Sequence, residues 1–273
     1  MTTASETVEG TIDNRPPSRW PAVWAAVTFQ LSVIRREPWP LPIITAPIIA
    51  VSLLAVVSYS GREDLAAYAV IAPAVMAILG MAVSEAGEII SQDRQNGVLE
   101  AILTTPVPLG RVLLARIGVI TVVSLVAIVE CWLVAAIFFQ QMVTVDHPVI
   151  FGATLVALAM GIAAIGVVMA AVFVVGRSVR AFQNSLSFPL FLLGGVMVPA
   201  SFLPGFLQPI SQVFFLSWAT DLLRDSMQPA SVENAWGRLG MILFLSALTY
   251  AIGTWLLHRL IRRIRHTGQV NFA

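Results

Sequence analysis

The sequence predicts an all-α membrane protein with six transmembrane helices. The 273 residues are 58% hydrophobic and only 11% charged, with a mean hydropathy of +0.85. A water-soluble fold could not cover so much apolar surface. In addition, six segments of the chain meet or approach the ~20 apolar residues that a helix needs to cross a bilayer. The chain is therefore expected to be held in a membrane by its own spans.

The predicted spans follow from the length of the apolar runs. They cover residues 41–59, 65–83, 117–139, 149–175, 188–202 and 239–257. The fifth run is interrupted by Gly194, Gly195, Pro199 and Pro204. Glycine and proline weaken or end a helix, so we expect this span to end early and to continue as helix that does not cross the membrane.

The region before the first span combines aromatic and basic residues, namely Trp20, Trp24, Arg35, Arg36 and Trp39. Indole and guanidinium groups both find partners in the headgroup layer. Residues 20–37 are therefore predicted to form an interfacial elbow helix. The polar residues 1–19 are predicted to form a disordered cytoplasmic tail, and residues 20–273 a single membrane domain.

The distribution of arginine predicts the orientation. All 16 basic residues of the chain are arginines. If the N-terminus is inside, only Arg62, Arg224 and Arg238 fall on the outer side, and the other arginines fall on cytoplasmic segments. Cytoplasmic loops of membrane proteins are enriched in arginine and lysine, so both termini are expected in the cytoplasm. The net charge of +1 argues against a nucleic-acid partner.

Several chemistries are excluded by missing residue types. Without lysine, the chain can supply neither the lysine of a phosphate-binding loop nor a Schiff base. Its one cysteine, Cys131, cannot form an internal disulfide or a thiolate cluster. The three histidines are His147, His258 and His266, too far apart in the predicted topology to share a metal. A membrane-embedded enzyme, considered as an alternative, would need clustered catalytic groups that the sequence does not show.

The link between the second and third spans, residues 84–116, is unusually polar. Its segment "VLEAILTT" places apolar residues on one side of a helix and polar ones on the other. Gly97 permits a turn before this helix, and Pro106 and Pro108 end it. The pattern predicts a short amphipathic hairpin on the cytoplasmic side. A solvated loop with one helical turn is the alternative.

This link resembles the cytoplasmic signature of ABC-2 type permeases, the membrane subunits of ATP-binding-cassette exporters, and in particular drug-resistance exporters of the daunorubicin-exporter kind. The matching residues are Glu88, Arg94, Gly97, Leu99, Glu100, Leu103, Thr104, Thr105 and Pro106. A second stretch, residues 198–225, is similar to the family's loop before the last span. There the chain has Ser217 and Trp218 where relatives often have Asn-Pro.

The resemblance implies a function in transport rather than catalysis. The hairpin would be a coupling helix, and an ATPase subunit would dock on residues 85–106. The implied contact residues are Glu88, Asp93, Arg94, Gly97, Glu100 and Thr104, with Pro106 fixing the hinge. ATP and magnesium would be bound by that partner, so no cofactor or metal is expected in this chain. A second permease copy or a paralogous permease would complete a dimer in the bacterial plasma membrane.

The resemblance also implies that the outer segment forms re-entrant helices, as in type V ABC exporters. Pro204 and Pro209 break this segment, which is too short and too polar at its end to cross. With Pro199 they are the predicted outer gate. An interfacial helix without a gating role is the alternative. Three charged residues near its end are expected to form solvated end-caps or surface ion pairs: Asp221, Arg224 and Asp225.

Glu130 lies near the middle of the third predicted span. An ionised carboxylate there is costly unless it meets a cavity, a partner or a proton. One interpretation is a contact in the substrate pathway, and the other is a protonated carboxyl bonded to a neighbouring helix. The expected cargo is a hydrophobic small molecule or a lipid, moved outward. The alternatives are a polysaccharide or glycolipid export permease, or a proton-coupled carrier that uses Glu130.

Overall fold

The structure is a computed structural model that describes residues 19–36, 41–61, 65–95, 109–140, 143–175, 187–197 and 202–267. All regular secondary structure in these residues is helical. In chain order the helices are α1 (Arg19–Arg36), α2 (Leu41–Ser60), α3 (Ala66–Gln95), α4 (Leu109–Ser124), α5 (Val126–Phe138), α6 (Pro148–Val175), α7 (187–193), α8 (Gln208–Gln212), α9 (Phe215–Asp225) and α10 (Ala235–Thr267).

Four helices of the described residues are long and apolar enough to cross a membrane. They are α3, α6, α10 and the nearly continuous helix formed by α4 and α5. A single turn at Leu125, with Ile128 N–H donating to the Leu125 carbonyl, separates α4 from α5. The chain is thus an all-helical multi-pass membrane protein, as predicted. The count of six spans and the elbow helix stay predictions.

The helices extend beyond the apolar runs from which the spans were predicted. The second predicted span ended at residue 83, but α3 continues to Gln95. The third was predicted to begin at residue 117, but α4 begins at Leu109, directly after a proline that cannot continue a preceding helix. The last helix runs to Thr267. Polar residues such as Glu, Gln and Arg favour helices, which explains why the helices continue beyond the apolar runs.

The core of the bundle is built around α6. This helix packs against α3, α4, α9 and α10, and 72% of its most apolar stretch is buried, against 22% for α10. The small residues Ala153, Ala157 and Gly161 predict a surface for close helix packing. At Gly161 the ring of Phe215 in α9 occupies the space where a Cβ would be, which confirms that prediction at this residue.

The bundle has two ends that are referred to below. The α1 end contains α1, the last turn of α3 and the first turn of α4, where Asp93 and Arg116 meet. The α9 end contains α9, the first turn of α3 and the start of α6. There Tyr68 lies against Arg224, and His147 N–H donates to the Ser226 carbonyl at 3.0 Å. Helix α3 reaches from one end to the other.

Candidate functional site

A buried ion pair joins the end of α3 to the start of α4. Nη1 of Arg116 donates to both carboxylate oxygens of Asp93, at 2.7 and 3.0 Å. Nε of Arg116 donates to Oε1 of Gln30 in α1 at 3.0 Å, and the guanidinium lies 5.2 Å from the ring centre of Phe29. Asp93, Arg116 and Gln30 are all buried. We call these three residues the α1-end cluster.

The position of the α1-end cluster follows from helix periodicity. Arg116 lies on the same buried face of α4 as Leu109, Leu113, Ile117 and Ile120. A charge on an inward face must be paired and hydrogen-bonded, because burying an isolated charge is very costly. Asp93 supplies the pairing and Gln30 supplies a further acceptor. The cluster therefore fixes three helices relative to one another.

The ion pair also joins the two helices from which the polar link begins and ends. Helix α3 ends at Gln95, two residues after Asp93, and α4 begins at Leu109, seven residues before Arg116. The residues between, 96–108, lie outside the part of the chain that the structure describes. Because the two flanking helices are tied to each other, a displacement of either one would be passed to the other and, through Gln30, to α1.

A second polar cluster lies at the α9 end, where α7 stops at Gly194 and Gly195. Gly195 has a positive φ of 64°, which favours glycine. A Cβ at Gly194 would overlap Leu216 of α9. The last carbonyls of a helix lack donors within the helix. Here Ser211 donates to the Leu193 carbonyl at 2.7 Å, and Thr220 donates to that of Gly194 at 3.2 Å.

Arg224 completes this arrangement. Its Nη2 donates to the carbonyls of Gly195 and Val196, both at 2.9 Å, and its Nη1 donates to Oδ1 of Asp221 at 3.3 Å. The guanidinium lies 4.1 Å from the ring centre of Tyr68 in α3. Only 1% of Arg224 is exposed. We call Ser211, Thr220, Arg224 and their carbonyl partners the α9-end cluster.

The electrostatics of Arg224 suit the end of a helix. Burial lowers the pKa of Arg224, and the nearby Tyr68 and Asp221 offset part of this effect. An arginine remains charged under such conditions, and a cation is favoured at the negative C-terminal end of a helix dipole. Its Nε has no hydrogen-bond partner among the described residues. The side chain thus holds α7, α9 and α3 together at one point.

A protein-family comparison covers both clusters. The family model described as ABC-2 type transporter matches residues 21–227, more than half of the chain. The chain belongs to the ABC-2 type transporter family. The resemblance deduced from the polar link is thereby confirmed. A comparison with curated proteins found no similar sequence.

Membership fixes the general role of this ABC-2 chain. It is the permease subunit of an ABC transporter, and the matched domain is a membrane transport domain rather than a catalytic one. The family also implies an ABC ATPase as partner. Among the described residues of the ABC-2 chain, no group of three or more His, Cys, Asp or Glu lies close enough to hold a metal ion.

The predicted contact residues of this ABC-2 permease are only partly described. Glu88 is exposed on α3, and its Oε1 accepts a hydrogen bond from Gln92 at 3.5 Å. Asp93 is buried, with its carboxylate occupied by Arg116. Arg94 belongs to α3, but the surroundings of its side chain lie outside the description. Four predicted contact residues are among the residues that are not described: Gly97, Glu100, Thr104 and Pro106. The ATPase contacts stay predictions.

Asp221, Arg224 and Asp225 were expected to form solvated end-caps or surface ion pairs; Arg224 does pair with Asp221, but the expectation that it is solvated is wrong. Asp221 and Asp225 do reach solvent, with 38% and 43% of their side chains exposed. Arg224 instead lies on the buried face of α9, together with Phe215, Thr220 and Leu223. Two sequence features could have indicated this role. Arg224 and Thr220 are four residues apart and so share one helix face, and Gly194 with Gly195 interrupts the preceding apolar run, which leaves helix carbonyls that need donors.

Two of the three predicted gate prolines lie in the described part of this permease, and both are found at turns or in the first turn of a helix. Pro204 is exposed, and its carbonyl accepts a hydrogen bond from Leu207 N–H at 2.8 Å. Pro209 lies in the first turn of the five-residue α8, a position where a missing N–H costs nothing. Pro199 lies outside the described residues. Helices α8 and α9 are too short to cross a bilayer.

Glu130 lies on α5, where the nearby residues Val129 and Leu133 are both exposed. Its Oε2 is shielded from solvent and has no hydrogen-bond partner among the described residues. The second interpretation of Glu130, a carboxyl bonded to a neighbouring helix, therefore has no support at that oxygen. The pathway interpretation stays a prediction for this ABC-2 permease.

Proposed function

We propose that this permease exports a hydrophobic small molecule or lipid-like cargo, driven by ATP hydrolysis in a separate subunit docked on residues 85–106. The observation that carries the proposal is the buried Asp93–Arg116 pair at the base of the polar link. A docking element must transmit displacement instead of absorbing it. Tying the two flanking helices together, and tying both to α1 through Gln30, gives the link such a base.

Helix α3 connects this base to the outer gate. It is 30 residues long and carries Asp93 at one end and Tyr68 near the other. With a rise of about 1.5 Å per residue, these two residues are roughly 38 Å apart along the helix axis. Tyr68 lies against Arg224, which caps the broken helix α7. A tilt of α3 driven by the ATPase would therefore reach the α9-end cluster directly.

The proposed outer gate consists of α7, α8 and α9 with Pro199, Pro204 and Pro209. Carbonyl groups at the end of a broken helix are tolerated in a membrane only where protein or water satisfies them. In this chain side-chain donors satisfy them. Because these donors are on α8 and α9, movement of α9 would release the end of α7. We propose that this movement opens the outer mouth.

The proposed orientation places the α1 end in the cytoplasm of a bacterium, in its plasma membrane. Arg35, Arg36, Arg111 and Arg116 lie in helices at that end, and the last turns of α10 add more arginines. The α9 end holds Arg224 and Arg238 among the described residues. This bias follows the positive-inside rule. Six spans, an elbow helix and cytoplasmic termini belong to the same proposal.

A second permease copy, or a paralogous permease, is proposed to complete the pathway. The described part of α2 exposes Ile48 and Val56, and α5 exposes Leu133 and Ile137. Such apolar faces suit either lipid or another helix bundle. ATP and magnesium are proposed to bind the ATPase subunit, because this chain has no lysine for a phosphate-binding loop.

Gentle affinity purification of the full chain tests the proposal. We expect a nucleotide-binding chain to co-purify, and ATPase activity that responds to cargo once the complex is placed in proteoliposomes. The double variant Asp93→Leu with Arg116→Met, which keeps no unpaired buried charge, should bind the ATPase yet transport little cargo per ATP. Transport by the permease alone, driven by a proton gradient without ATP, would instead support a carrier that uses the carboxyl of Glu130, whose Oε2 has no hydrogen-bond partner among the described residues.

A further inference from the structure

An apolar groove lies between α4, α6 and α10, away from both polar clusters. Its volume is about 580 Å³, and it is lined by residues such as Gly118, Val122, Ala159, Met160 and Leu243. Volumes of about 300 to 1,000 Å³ are typical of ligand pockets. Its few polar lining groups include Ser246 and Tyr250 of α10. Neither cluster described above accounts for this groove.

The groove exists because three helices converge at one end and separate toward the middle. Near the α1 end, Gly253 of α10 approaches α6 so closely that a Cβ would lie 3.0 Å from Val168. A Cβ at Gly110 of α4 would lie 2.8 Å from Thr254 of α10. Farther along α4, a Cβ at Gly118 would meet nothing within 4 Å. The groove is therefore closed toward the α1 end and open along its side.

The open side of the groove faces the surroundings of the bundle. Val122, Val156 and Met160 line it and are all more than half exposed. Helix α10, which forms one wall, is the least buried of the spanning helices. An apolar side that is open in this way is suited to contact with the acyl chains of a bilayer.

A cation lies one helical turn beyond the residues that line the groove, on the side of its closed end. Leu114, Gly118, Val122 and Leu125 line the groove from α4 at spacings of three and four. Arg111 continues this row by one turn toward the α1 end. It is exposed, acts electrostatically on Tyr250, and pairs with no acidic side chain of the described residues.

We propose that this groove binds one phospholipid of the surrounding bilayer with an anionic headgroup. One acyl chain would lie against Gly118 and Ala159, and the phosphate would lie at Arg111. Charge complementarity selects this occupant. A groove that is apolar along its length and cationic only at its membrane-surface end matches the two parts of such a lipid.

Native mass spectrometry of the full chain, purified from nanodiscs with equal phosphatidylglycerol and phosphatidylcholine, tests the proposal. We expect the wild type to retain phosphatidylglycerol preferentially. Arg111→Gln should weaken that retention about fivefold, which corresponds to roughly 1 kcal/mol. The matched control is Arg36→Gln, an exposed arginine at the same end of the bundle that does not line the groove; it should retain the lipid as the wild type does.

Two filling variants test the groove itself. Gly118→Leu and Ala159→Phe should each remove the retained lipid, while Gly80→Leu should not. Gly80 of α3 also has open space around its Cβ position and lies outside the groove. Equal retention by all three variants would overturn the groove assignment. Equal effects of Arg111→Gln on both lipids would overturn the headgroup assignment. A crosslink from Val156→Cys to a second protein chain, with no lipid retained, would show a helix as occupant and also overturn it.

Discussion

Arg116 holds both carboxylate oxygens of Asp93, at 2.7 and 3.0 Å, across the gap between the start of α4 and the end of α3. Both side chains are nearly inaccessible to water. In such surroundings each charge depends on the other, because neither can be solvated if its partner is lost. The pair thus joins the two helices that flank the polar link of this ABC-2 permease.

Breaking the pair on one side should destabilise the permease strongly. Asp93→Asn or Arg116→Gln leaves a buried charge without its partner, which costs about 3–5 kcal/mol. The double variant Asp93→Leu with Arg116→Met should recover most of this loss, because a well-packed apolar pair avoids the desolvation penalty. The midpoint of thermal unfolding in detergent measures both effects.

The control for these variants is Arg238→Gln, which removes a more exposed partner of Asp225. Such surface pairs contribute about 0–1 kcal/mol, so a small change is expected. The double variant should remain folded and yet transport less cargo per ATP, since it lacks the hydrogen bond to Gln30. If Asp93→Asn and Arg116→Gln were each as stable as the wild type, the conclusion that each buried charge depends on its partner would be wrong.

Charge reversal within the polar link should uncouple ATP hydrolysis from transport. Glu100→Arg and Arg94→Glu replace the charges that we expect to face the ATPase, so docking geometry should fail while membrane insertion is unaffected. The ratio of cargo moved to ATP hydrolysed in proteoliposomes is the measurement. Glu233→Arg, an exposed site at the α9 end, is the matched control. An unchanged ratio of cargo moved to ATP hydrolysed in both link variants would show that Glu100 and Arg94 do not contact the ATPase.

The sequence predicted the class of the fold and the interruption of the fifth apolar run, because both follow from composition and from strong local signals. Apolar runs of sufficient length must be buried in lipid, and Gly194 with Gly195 permits the turn that ends α7. The helix ends were less predictable. Helix α3 continues to Gln95 through polar residues that favour helix without being apolar.

The partners that meet in the two polar clusters could not be predicted, because both clusters join residues that are far apart in the chain. Gln30 and Arg116 are 86 residues apart, and Arg224 and Val196 are 28 apart. Local periodicity places each residue on a helix face, but it does not say which faces meet. Asp93 and Arg224 therefore appeared as surface charges in the sequence, although packing buries both.

Replacing Arg224 should loosen the end of α7. Arg224→Met leaves the carbonyls of Gly195 and Val196 without donors, at a cost of about 1–3 kcal/mol for each buried group. Arg224→Lys should restore only part of the loss, since an ammonium lacks the planar fork that contacts both carbonyls and the ring of Tyr68. Hydrogen exchange of the amides in residues 190–197 should quicken in both variants.

The matched control is again at the α9 end, where Arg238→Met removes a cation that pairs with the partly exposed Asp225. We expect normal exchange rates in α7 for that variant. Amides of the α1 end should exchange as in the wild type in all three variants. Protection of α7 that is unchanged by Arg224→Met would show that the caps from Ser211 and Thr220 suffice, contrary to the role given to Arg224.

Glu130→Gln tests whether the carboxyl on α5 belongs to the pathway. In a medium of low dielectric constant a carboxylate attracts a cation far more strongly than it would in water. If cargo passes Glu130, the amide should slow export of cationic cargo severalfold and leave neutral cargo unaffected. Export rates for a matched pair of charged and neutral substrates in proteoliposomes give the comparison, with the exposed Asp146→Asn as control. Unchanged export of every cargo would exclude Glu130 from the pathway, because loss of a carboxylate that contacts the cargo should change the export rate of cationic cargo.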